Sequence, residues 1–358
     1  MQAAGADIVH LEAGQPSKGV PPHILEAAKQ ALETQPMGYT EALGLPALRE
    51  ALAKYYETRY GLAVPASRIV ATTGSSGGFI MGFLGAFDAG DKVAMAAPGY
   101  PAYRNILKSL DLVPVELPTT YEDNFQPSIK RLDALNEPPA GLIIASPSNP
   151  AGTMLGKAEL QYLVDYCKAN NIRIISDEIY HGTTYDRDGV SILSCTNDAL
   201  VLNSFSKYFS MTGWRLGWMV VPPDLEATIT ALAQNLFISP PTLSQHMGIA
   251  SLQDTTAVDA YVAEYKQNRD LLLQELPKLG FGQLSKVEGG FYIYADVAPL
   301  TNDSEAFCRR LLTEVGVAMT PGLDFDKERG SRYVRISFAG SHESIKQAIE
   351  KLKKWRGA

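Results

Sequence analysis

Seven short apolar segments recur between positions 68 and 221, at residues 68–73, 92–97, 112–117, 142–145, 172–176, 200–203 and 216–221. Apolar runs of this length bounded by polar residues read as buried strands. Most are separated by stretches with helical patterning, among them 77–89, 102–110 and 157–168. Strands joined by helical crossovers restrict the chain to an α/β fold, a mostly parallel seven-stranded sheet covered by helices. Ligands of such sheets sit beyond the carboxyl ends of the strands. Two helices are expected ahead of the first strand. One opens at Pro21-Pro22-His23 and runs through Leu32; the other spans about 46–60, with Leu48, Leu52, Tyr55 and Tyr56 at helical spacing. Proline is tolerated in a first helical turn.

Past the last of these strands the rhythm changes. Residues 242–276 read as helix with a break near Thr255-Thr256, and 290–297 and 332–339 read as strands. A final amphipathic helix is expected after Ser341 as N-cap, with Ile345, Ile349 and Leu352 on one face. The pattern predicts a large domain over 20–260 and a smaller α+β domain built from 1–19 and 261–358. At 358 residues the chain is long enough for both cores. A net charge of −7 argues against nucleic acid or an anionic membrane as a general partner. No leader and no run of eighteen apolar residues is visible, so a cytoplasmic protein is expected. Cys167, Cys195 and Cys308 are too scattered for a disulfide framework, and with the scattered histidines they offer no metal site. They are expected as buried thiols.

Chemistry concentrates in Ser204-Phe205-Ser206-Lys207 and, eight residues after the lysine, Arg215. A lysine just past a core strand is costly to bury as an ammonium, whereas desolvation lowers its pKa and makes it a nucleophile. Two serine hydroxyls and a guanidinium suit a phosphate dianion. Ser-x-Ser-Lys alone would also fit a surface lysine in a serine-rich loop. With Gly213-x-Arg215-x-Gly217-Trp218 added, the stretch resembles the cofactor-lysine motif of the class I/II aminotransferases. These are pyridoxal 5′-phosphate enzymes of the aspartate aminotransferase fold (fold type I).

The resemblance extends from Gly14 to Phe338 and implies roles residue by residue. Gly14-Gln15-Pro16 matches the family's Gly-x-Pro segment, whose glycine backbone lines the substrate site; relatives carry a helical arm ahead of it, which in this sequence is either absent or truncated. Thr73-Gly74-Ser75-Ser76-Gly77 would wrap the cofactor phosphate through Ser75 and Ser76, although a Gly-Ser turn is often only a turn. Gly77 stands where relatives have a bulkier residue. Tyr100 matches the aromatic that stacks on the pyridine ring. Asn149, in the Asn-Pro-x-Gly turn, would donate to the cofactor's phenolic oxygen and help hold the substrate carboxylate. Asp177 ends an apolar strand and needs a charged partner; the pyridinium N–H would supply one and keep the ring an electron sink. Tyr180 matches the hydroxyl on the phenolic oxygen. Neighbouring Glu178 is expected to face away, solvated or in a structural ion pair. Arg335 matches the fork that grips the α-carboxylate, with an ion pair as its plainer reading. Tyr39, in Gly38-Tyr39-Thr40, would reach the phosphate of a neighbouring subunit, which implies a homodimer with shared sites. Lys18 is either solvated or a lure for an acidic substrate side chain.

The implied activity is exchange of an amino group between an amino acid and a 2-oxo acid, through a Schiff base of the cofactor on Lys207. Two alternatives use the same residues: a C–S β-lyase or related reaction, and a non-enzymatic sensor domain of a regulator. The second would require a DNA-binding module, which is not expected ahead of Gly14.

Overall fold

A computed structural model of the chain describes residues 2–357. After a short 3-10 turn at Gln2–Ala4 comes a two-residue strand, Val9–His10 (β1). The large sheet follows as Ile69–Thr72 (β2), Lys92–Ala97 (β3), Val113–Pro118 (β4), Gly141–Ala145 (β5), Arg173–Asp177 (β6), Leu200–Ser204 (β7) and Gly217–Val220 (β8). All seven expected strands are present, each within about a residue of its predicted bounds. Their spatial order is β2-β8-β7-β6-β5-β3-β4. Pairings among β3 to β7 are parallel, and β8 runs antiparallel to β2 and β7. That reversal has a consequence for the site. The start of β8 lies at the carboxyl edge of its neighbours, which brings Arg215 to the edge where Ser204 leaves β7.

The central strands read as unbroken apolar runs because both faces are covered. Leu142, Ile144, Ile174 and Val201 point to one side, where they pack with helices Pro22–Thr34 (α1), Pro46–Tyr60 (α2) and Lys157–Ala169. Ile143, Ile175, Leu200 and Leu202 point to the other, against Gly74–Ala86 (α3) and Pro101–Ser109 (α4). Helix α2 starts with proline and stops at Gly61 with φ +67°, the two ends each residue is suited to.

The second sheet contains Tyr292–Asp296 (β9), Thr320–Pro321 (β11) and Tyr333–Ser337 (β12), ordered β11-β12-β9 and antiparallel throughout. Val317–Ala318 (β10) pairs in parallel with β1. Ile293, Val334 and Ile336 pack against Ile345, Ile349 and Leu352 of helix His342–Arg356, and Val9 and Leu11 join the same core. Ser341 caps that helix, its side chain accepting from the Ser344 N–H at 3.2 Å. Tyr180, just beyond β6, also packs into this core, so the second sheet sits against the carboxyl edge of the first. Among the described residues no helix is long and apolar enough to cross a membrane. Cys167 and Cys308 are buried thiols, and Cys195 is half-buried rather than buried.

Candidate active site

A cavity of about 630 Å³ opens at the carboxyl edge of the large sheet, between it and the second sheet. Lys207 reaches into it three residues past β7, and its Nζ donates to the Gly14 carbonyl at 2.6 Å. A Cβ at Gly14 would stand 2.8 Å from the Tyr292 hydroxyl, so this close approach needs glycine. Burial, then the positive charge of Arg335, push the Lys207 amine down to about 8. The neutral amine is therefore far more accessible near physiological pH than that of an ordinary lysine, though still the minority form below pH 8.

Asp177, the last residue of β6, lies in the cavity floor and is only 4% exposed. The Tyr103 hydroxyl from α4 donates to Oδ2, and the Ile179 N–H donates to Oδ1 at 3.1 Å. Burial pushes this carboxyl up to about 6, against the pull of those two donors and of Lys207. A carboxylate held this way is suited to a cationic partner.

Gly74 opens α3 directly behind β2. Its φ is +69°, and a Cβ there would sit 2.4 Å from Nη2 of Arg215. Glycine thus lets the guanidinium lie over the first turn of a 13-residue helix, where Ser75 and Ser76 also line the cavity. Free N–H groups, helix dipole, hydroxyls and guanidinium together form an anion site. Ser206 joins the wall. Ser204 lies behind it, its Oγ at 3.0 Å from both Ser206 Oγ and the Leu216 carbonyl, where it fixes Ser206.

On the opposite side, β12 delivers Arg335, which is 8% exposed. Its guanidinium carbon lies 4.3 Å from the Tyr292 ring centre and 4.8 Å from that of Phe325. Nη1 donates to Asn149 Oδ1 at 3.2 Å, and Nη2 donates to the Glu12 carbonyl at 2.7 Å. Nε is buried without a partner. An unpaired buried donor costs about 1–3 kcal/mol, a cost that an incoming acceptor relieves. The plain ion-pair reading of Arg335 does not hold, since its partners are a carbonyl, an amide and a hydroxyl.

The cavity gathers Gly14, Ser75, Ser76, Tyr100, Asn149, Asp177, Tyr180, Ser206, Lys207, Arg215 and Arg335 from positions spread over the whole chain. Tyr39 is not among them; it is 83% exposed, beside Pro240 and Thr242. Two participants went unassigned from sequence. Tyr103, one helical turn after Tyr100, anchors Asp177, and Tyr292 accepts from the Tyr180 hydroxyl at 3.2 Å. Tyr292 follows Gly289-Gly290 at the start of a strand, a position that signals close backbone approach.

One expectation requires correction and another is narrowed. Glu178 does face away from the cavity, but it is neither solvated nor ion-paired. It is 1% exposed and accepts from the Ile192 N–H at 2.9 Å and the Ser191 hydroxyl at 3.1 Å. Burial pushes it up to about 7. The nearby His181 is held neutral, pushed down to about 4 by burial. Lys18 keeps a partly exposed side chain whose ammonium pairs with Glu264, and it does not line the cavity.

Residues 6–352 match the family model for aminotransferase class I and II. A valine–pyruvate aminotransferase of Mycobacterium tuberculosis is 46% identical over 99% of this chain and 92% of its own length. The crystal structure of an aminotransferase from Mycobacterium tuberculosis superposes with a TM-score of 0.97 at 45% identity, covering 99% of this chain and 93% of that one. Aspartate aminotransferase from Thermus thermophilus, solved with maleate, gives 0.92 at 31% identity over 99% and 93% of the two chains. The chain belongs to the class I and II aminotransferases and has their fold type I architecture. It is an enzyme, one that transfers an amino group between an amino acid and a 2-oxo acid.

Proposed function

We propose that this cavity holds pyridoxal 5′-phosphate on Lys207 and that transamination takes place there. The observation that carries the reading is the pairing of a buried, pKa-lowered lysine with a buried aspartate in one cavity, beside an anion site. The residues fit the group. The Gly74–Arg215 cradle and the first turn of α3 suit its phosphate, and the orphaned Nε of Arg335 suits a substrate carboxylate. When bound, the cofactor supplies an electron sink for the substrate Cα and a carrier for the amino group.

The chain's own residues do the rest. Ser75, Ser76, Ser206 and Arg215 hold the phosphate, with Ser204 steadying Ser206. Tyr100 stacks on the ring, and Asn149 and Tyr180 donate to its phenolic oxygen. Asp177, steadied by Tyr103, holds a proton at the ring nitrogen. Arg335 and Asn149, with the Gly14 backbone, orient the substrate α-carboxylate so that Cα faces Lys207. The Lys207 amine then takes the Cα proton as general base and later returns a proton as acid.

Arg335→Leu tests the substrate half of this arrangement. Losing a charge-assisted pair should cost about 1.5–3 kcal/mol of transition-state binding, or roughly 10–150-fold in kcat/KM for every amino acid alike. Simple amines without a carboxylate should be little affected. A loss confined to one side-chain class would move Arg335 to the side-chain pocket instead.

The same reading makes the enzyme a cytoplasmic homodimer with sites shared between subunits. Met37, Tyr39, Leu236 and Ile238 are exposed apolar residues, and Ile238 holds φ at +64°, a strained state for a β-branched residue. Met37 and Tyr39 line one depression with Pro240 and Pro241, and exposed apolar residues there support a covered interface that carries Tyr39 to the partner's phosphate. The free cysteines are consistent with a reducing compartment. The two apolar cores support two domains, 20–260 and 1–19 with 261–358, whose boundary falls inside helix Thr256–Glu275. Tyr39→Glu and Lys207→Ala homodimers should each be inactive. Mixed dimers should regain up to half of wild-type activity, because one site has both native residues; inactive mixed dimers would refute sharing.

A further inference from the structure

The distribution of charge in the cavity limits which side chains it accepts. Among the described residues, the wall's cations are Lys207, Arg215 and Arg335, and its carboxyl group is Asp177. On the reading proposed above, from which this inference follows, all four are engaged by cofactor, α-carboxylate or the transferred proton. The rest of the wall includes Ala13, Gln15, Ile179 and Tyr292, none of which carries a charge. A substrate with a second carboxylate would surrender its hydration there and find no cation in return.

Neither of two other places from which positive charge could come supplies a cation to the wall. Lys18 is held by Glu264, and its Nζ lies 4.9 Å from the Tyr261 ring centre. The exposed residues Met37 and Tyr39, which a shared site would bring to the neighbour's cavity with the Ser239–Thr242 segment beside them, lie within cation-free sequence. No lysine or arginine occurs between Lys29 and Arg49, or between Arg215 and Lys266. A second copy of the chain therefore adds apolar and aromatic area from these segments and no lysine or arginine.

We propose that the enzyme selects amino donors and 2-oxo acceptors with small uncharged side chains, and discriminates against dicarboxylic ones. The exchange balances without any further reactant. The donor leaves as its 2-oxo acid, and the acceptor, of the pyruvate type, leaves as its amino acid.

The test uses wild-type holoenzyme. The kcat/KM values of alanine and valine are compared with those of aspartate and glutamate, each with pyruvate and with 2-oxoglutarate as acceptor. Neutral donors should lead by about 100-fold or more, since taking an ionised carboxylate out of water without a cationic partner costs far more than accommodating a methylene. Pyruvate should lead 2-oxoglutarate in the same direction. As a readout independent of turnover, maleate should bind no more tightly than isobutyrate in calorimetric titration. Aspartate or glutamate matching the neutral donors, or maleate binding ten times more tightly, would overturn this inference and leave the transaminase reading intact. No reaction with any donor would bring down both.

Discussion

Lys207→Ala should slow transamination by at least about 10²–10⁴-fold, the range for loss of one positioned general base. The residue is held where the chain has no substitute. Its amine lies 2.6 Å from the Gly14 carbonyl, inside a wall whose other nitrogen cations are guanidinium groups. Guanidinium does not release its proton in proteins, so Lys207→Arg should be as inactive as the alanine variant while keeping the charge. Cofactor should remain partly bound in both, because the phosphate cradle at Gly74 and Arg215 is untouched. Rates are read as single-turnover conversion of one amino acid. A variant within ten-fold of wild type would remove Lys207 from the chemistry. The same burial has a signature in the protein without ligand. An unfolded lysine keeps its proton up to its ordinary value of 10.5, whereas folded Lys207 loses it above about 8. The unfolded state then binds more protons, so stability should rise with pH between these values, a slope that Lys207→Met should remove.

Asp177→Asn should be the second most damaging change. Asparagine keeps the shape but removes the charge that, on the proposed reading, holds a proton at the ring nitrogen, and proton removal from Cα should slow by about 10²-fold or more. Tyr103→Phe should have a smaller effect in the same direction. It deprives the carboxylate of one of its two donors, and a bond to a charged group is worth about 1.5–3 kcal/mol. Both variants should retain cofactor, which separates a chemical defect from failed binding. Unchanged half-reaction rates in Asp177→Asn would show that the carboxylate is not the ring's partner.

What the sequence revealed, and what it did not, follows from how far each signal travels along the chain. Large-sheet strands were legible because both their faces are buried, so each stands out as an apolar run between polar ends. Ser341 and the helix after it were legible because a cap and a helical period are local. Two-residue strands such as Val317–Ala318 and Thr320–Pro321 have no periodicity to read; only pairing with distant β1 and β12 defines them. The site shows the same division. Lys207, Asp177 and Arg335 announce themselves as charged residues on apolar strands or just past them. Tyr103 and Tyr292 do not, because a tyrosine beside apolar residues looks like core until its hydroxyl is seen to face Asp177 or Tyr180. Glu178 was misjudged for a related reason. Its partners, Ser191 and the Ile192 N–H, lie on a loop thirteen and fourteen residues away, and no local pattern connects them. Lys18 depends on Glu264, which is 246 residues distant.

The central claim is that Lys207 carries the cofactor in this cavity. Borohydride reduction of the holoenzyme, followed by proteolysis and mass spectrometry, tests it most directly. The expected result is one pyridoxyl-phosphate adduct per chain on the peptide containing Ser206-Lys207-Tyr208, and none in Lys207→Ala. An adduct on any other lysine, with Lys207 unmodified, would contradict the account.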